Sequence, residues 1–98
     1  MTPAFKKVRY RSIVAKWNAL NSNEKLLALV ILANTGKTGW ANMSLGEIQK
    51  DAGGMHYQTI HNGIARLEKL GALQSAPADM KRRTLYRLHE SDKVRESS

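Results

Sequence analysis

No cysteine occurs among the 98 residues, which excludes disulfides and thiolate metal sites and leaves no sign of an oxidising compartment. Aromatic residues make up only 6% of the chain, too few to offer a stacking platform for a single nucleic-acid strand. Long apolar runs are missing as well. The longest, Leu26 to Ala33, is far too short to span a bilayer. Acid is the fourth shortage: 8 Asp and Glu stand against 16 Lys and Arg, a formal net charge of +8. What remains is one small domain with a 42% hydrophobic content, enough for a single core.

The positive charge is segregated. Residues 1–20 carry Lys6, Lys7, Arg9, Arg11 and Lys16 with no acid. Residues 21–71 are nearly neutral, and residues 72–88 carry Lys81, Arg82, Arg83 and Arg87 against Asp79 alone. Basic surface also aids solubility, but that seldom concentrates charge on two flanks of a neutral centre. A polyanion lying along those flanks is the simplest partner.

The first twenty residues read as a basic, amphipathic arm or helix, with Ile13, Val14, Trp17 and Leu20 on one stripe. An organelle transit peptide would also be Arg-rich and acid-poor, yet here the stripe runs into the next helix with no cleavable spacer. A membrane-surface helix fits less well. The remaining reading is a first helix packed on the core.

Asn21 and Glu24 open a helix of about residues 22–34 with the spacing of a capping box. Its LLALVILA segment is apolar almost all round and should be central and buried. The following TGKTG fails as a phosphate loop, because Ile31 stands where the first glycine is required. Trp40 to Met43 reads as a short strand pairing with a later hairpin, with Trp40 in the core or an interface.

Ser44 and Glu47 form a second capping box, ahead of Leu45, Ile48 and Ala52 at helical steps. Gly53-Gly54 ends that helix, and another runs from about His56 to Leu70, with Ile60, Ile64, Leu67 and Leu70 on its inner face. Its other face carries Tyr57, Gln58, Thr59, His61 and Asn62, and no carboxylate lies between residues 56 and 66. Gly63 costs about 1 kcal/mol inside a helix, so the preceding helix should approach closely there. Residues 72–76 and 84–88 then read as strands joined by PADMKRR, a basic tip. Residues 89–98 are polar, and a disordered tail is expected.

The stretch SLGEIQKDAGGMHYQTIHNGIARLEKLGAL resembles winged helix-turn-helix DNA-binding proteins of the small prokaryotic, plasmid or phage type. It has the capped helix, the glycine turn, the T-[IV] step and the L-E-x-L-G-x-[LIV] lead into the wing. The turn Gly53-Gly54-Met55 is one residue longer than is usual there. The resemblance implies a mainly α fold with a small β-hairpin over residues 21–88, a helical N-terminal extension, and a homodimer. It also implies that helix 56–70 enters the major groove of double-stranded DNA while the wing, residues 77–83, meets backbone or minor groove.

On that reading Gln58 and Asn62, four residues apart, face bases, and their carboxamides match adenine N6 and N7. Thr59 and Arg66 are placed nearer phosphates, Tyr57 meets a phosphate or packs on a thymine methyl, His61 can reach bases, and Ser44 is counted among the DNA-binding residues. Lys81, Arg82, Arg83, Lys6, Lys7 and Arg9 neutralise phosphate charge. For each, the bland alternative is a solvated polar face. No catalytic group, metal site or cofactor is expected: His56, His61 and His89 lack ligand spacing, and no acid pair forms an evident catalytic couple.

The expectation is therefore a non-enzymatic, cytoplasmic, nucleoid-associated factor for transcription regulation, plasmid or phage replication, or partition. The rival is an adaptor that uses the same fold to recruit a partner protein.

Overall fold

The computed structural model describes residues 20–80 and 82–89. The N-terminal arm through residue 19, Lys81 and the tail from residue 90 lie outside them. The described residues form three helices and a three-stranded antiparallel sheet: α1 (Ser22–Ala33), β1 (Ala41–Ser44), α2 (Leu45–Asp51), α3 (Tyr57–Lys69), β2 (Leu73–Pro77) and β3 (Arg83–Leu88). The strand order is β1-β3-β2, so the last strand lies between the other two. Ala41 sits opposite Tyr86 and Ser44 opposite Arg83, while Leu73 faces Leu88 and Pro77 faces Thr84.

Both expected capping boxes are formed. The Asn21 side chain accepts from the Glu24 N–H, and Glu24 Oε1 accepts from the Asn21 N–H, each at 2.9 Å. Ser44 and Glu47 make the same reciprocal pair at the start of α2. Each satisfies two of the backbone donors that a helix N-terminus leaves without an internal partner. At their other ends, α2 and α3 stop on Gly53 and Gly71, both left-handed, at φ 73° and 75°. Gly54 N–H reaches Gln49 O, and Ala72 N–H reaches Leu67 O, closing each helix with a 6→1 bond. These bonds are local, which is why the boundaries were readable to within a residue or two.

The core lies where α1 and α3 cross over the inner face of the sheet. Leu27, Ile31, Ile48, Ile60 and Leu67 are fully buried, joined by Ala41, Met43, Tyr86 and Leu88 from β1 and β3. Leu20, ahead of α1, is buried with them. His89 likewise belongs to the fold and not to the tail: its N–H donates to Ala72 O at 2.8 Å, and Nε2 lies 3.0 Å from Gln74 Oε1. Trp40 is half-buried, with the Arg87 guanidinium 5.7 Å from its ring centroid.

Gly63 is where α3 meets its neighbour, but that neighbour is α1 and not the preceding helix. A Cβ at this position would overlap Cδ1 of Leu27, which is fully buried and cannot swing into solvent. Gly63→Ala gains roughly 1 kcal/mol of helix propensity but meets an overpacking cost of about 1–3 kcal/mol. A net loss of about 1 kcal/mol is expected in urea unfolding. In a Leu27→Val background, which lacks the obstructing carbon, the same change should become neutral or stabilising. An unchanged penalty there would mean that Leu27 is not the obstacle.

Candidate nucleic-acid interface

α3 has one face in the core and one in solvent. Ile60, Gly63, Ile64 and Leu67 point inward, which turns Tyr57, Gln58, His61 and Asn62 outward, all four exposed. The inward set recurs at steps of three and four, so the outward set must share one surface. The first turn of α3 holds no acid, and His56 occupies the N-cap without a side-chain cap bond. Negative charge is therefore absent from the end of the helix that attracts anions.

The outward residues are not independent. Gln58 Nε2 donates to Asn62 Oδ1 at 3.0 Å. Thr59 is half-buried and turns toward α1, where Asn21, Asn23, Glu24, Thr59, Asn62 and Gly63 line a shallow notch of about 200 Å³. Glu24 lies at the floor of this region, 5% exposed. Arg66, expected to reach toward a backbone phosphate, lies with Nε 3.2 Å from Glu24 Oε2. A buried carboxylate without a cation would carry a large desolvation penalty, so Glu24 has first claim on that guanidinium. Arg66 thereby ties the notch to α3.

The hairpin's arginines Arg82 and Arg83 differ in their surroundings. Arg82 is exposed at the tip, in the left-handed region with φ 65°. Arg83, expected beside it among the DNA contacts, is half-buried and clamps β3 to β1 and α2. Its Nε donates to Asn42 Oδ1 and its Nη2 to Asn42 O, each at 2.8 Å, and Nη2 lies 2.7 Å from Glu47 Oε1. The cause is register: Arg83 sits opposite Ser44, the cap of α2, so its side chain meets the acid of that capping box. The Ser44 N–H and the Arg83 charge together hold the Glu47 carboxyl below its ordinary value of 4.5, and the pair stays charged at neutral pH.

Ser44 itself is half-buried, with its hydroxyl accepting from Glu47 N–H. Of the expected phosphate contacts, Lys6, Lys7, Arg9 and Lys81 lie outside the described residues. No family of known proteins matches the chain, and no curated protein or solved structure matches it either. The functional reading therefore stands on the chain's own geometry.

Sequence reasoning missed the Arg83 clamp, the Glu24–Arg66 pair and the joining of Gln58 to Asn62. Only the last had a signal, the four-residue spacing of two carboxamides. Among the described residues, no helix is long and apolar enough to cross a membrane.

Proposed function

We propose that the protein is a sequence-specific double-stranded DNA-binding factor of winged helix-turn-helix type. In this reading α2 and α3 are the helix-turn-helix, β2 and β3 the wing, and β1 the strand that completes the sheet. The observation that carries it is the solvent face of α3. In its first two turns four hydrogen-bonding side chains stand together with no carboxylate among them, Glu68 lying in the last turn, and basic segments flank the helix on both sides in the chain. A surface for an acidic protein would not need neutral donor–acceptor groups.

Gln58 and Asn62 read base edges in the major groove, Tyr57 and His61 line the approach, and Arg82 meets the backbone or minor groove. Arg83 supports the wing from within. The protein acts by occupying DNA, as a transcription regulator or as a plasmid or phage replication or partition factor, and it does so as a homodimer on two half-sites.

The test is selection of bound duplexes from a random pool, followed by affinity measurements on the best and on scrambled sequences. Gln58→Ala or Asn62→Ala should cost about 1–3 kcal/mol on the selected site and much less on scrambled DNA. Equal losses on both would remove the two residues from base readout.

A further inference from the structure

We infer that Gln58 and Asn62 work as a single hydrogen-bonded reader of one adenine edge, so that the amide orientation of each is set by the other. This rests on duplex DNA being the ligand of α3. Each carboxamide has an oxygen that only accepts and a nitrogen that only donates. In the structure Gln58 Nε2 donates to Asn62 Oδ1, which leaves Gln58 Oε1 as an acceptor and Asn62 Nδ2 as a donor outside that bond, both on exposed residues.

Turning one amide alone would set oxygen against oxygen or amino group against amino group. Turning both together keeps the bond and reverses the polarity. The pair thus offers one acceptor and one donor in either state. Adenine presents a complementary edge in the major groove, the N6 amine as donor beside N7 as acceptor. Guanine presents two acceptors there and would oppose the free oxygen. Thymine presents an acceptor and a methyl group, and cytosine an amine alone.

Two features of the fold hold the pair in place. Gly63, immediately after Asn62, is packed against Leu27, which fixes the rotation of α3 about its own axis. The Glu24–Arg66 ion pair fastens the next turn to α1. Neither bonded amide can leave the other without exchanging a formed hydrogen bond for one to water.

The consequence is a relayed change of specificity. Gln58→Glu puts a carboxylate, which has no donor, beside Asn62. Asn62 must then turn its amino group toward Glu and expose Oδ1, so that the surface presents acceptors only. The base favoured at the Asn62-sensitive position should change from adenine to cytosine, whose amine can donate to them. Gln58→Met, of equal length but without polar atoms, should relax the preference there without redirecting it.

The experiment is parallel selection from a random duplex pool with the full chain as wild type, Gln58→Glu, Gln58→Met, Gln58→Ala, Asn62→Ala and the double alanine variant. The salt is held constant, and each fold is checked by circular dichroism. Wild type should enrich adenine at one position, and either alanine variant should lose that preference by about 5- to 150-fold. The double variant should lose little more than one of them. Without DNA, the side-chain amide resonance of Gln58 should shift in Asn62→Ala. If Gln58→Glu leaves adenine favoured at the Asn62-sensitive position, or the alanine losses multiply, the two residues read separately and this inference fails while DNA recognition stands. An unmoved Gln58 resonance has the same force. A wild-type protein that enriches no sequence overturns sequence-specific recognition itself, and the paired reader with it.

Discussion

Ile60→Ala is expected to lower the unfolding free energy by about 2–5 kcal/mol, which amounts to roughly 8–40 °C in Tm for a domain of this size. Ile60 is fully buried and lies between Thr59 and His61, so it anchors the helix whose other face is the proposed ligand surface. Removing three side-chain carbons forfeits their transfer free energy. A cavity also remains, because Leu27, Ile31 and Leu67 are fully buried and held by their own helices. Small domains hold only about 5–15 kcal/mol in all, so the loss is a large share of the total. Chemical denaturation of wild type and variant measures it directly. A loss below about 1 kcal/mol would mean that α3 is not docked as described. Ile60 touches no ligand, so duplex affinity measured well below the lowered Tm should be nearly unchanged.

The second large effect concerns salt. If Lys6, Lys7, Arg9, Lys81 and Arg82 each neutralise a phosphate, log K should fall against log salt with a slope of about −4.5. Raising salt from roughly 50 to 200 mM should then weaken binding about 500-fold. The two hairpin arginines are the discriminating pair. Arg82→Ala should make the slope shallower by about 0.9, and weaken every sequence alike. Arg83→Ala should leave the slope where it is and cost about 1 kcal/mol of stability, since its partners are Asn42 and Glu47. Arg82→Gly is a useful companion, because glycine accepts the φ of 65° without strain and removes only the charge. Matching slopes for the Arg82 and Arg83 variants would refute this division of labour.

Some of this molecule was settled by neighbours in sequence. The caps Asn21–Glu24 and Ser44–Glu47, the glycine stops and the inward stripe of α3 all follow from groups three or four residues apart. Chain connectivity alone brings such groups together, so their chemistry can be read from spacing. The hairpin and the pairing of β1 with it were legible for a similar reason, through short alternating runs separated by turn residues.

Other contacts joined residues that no spacing rule relates. Arg83 meets Asn42 and Glu47 only because β3 lies between the other strands in one particular register. Arg66 reaches Glu24, and Gly63 reaches Leu27, only because α3 crosses α1 and not merely α2. By itself, the sequence determined where each helix and strand runs and that the first turns of α3 hold no carboxylate. Tertiary packing decided which cations remain available to a ligand, since a charge is committed or free according to what the fold sets beside it.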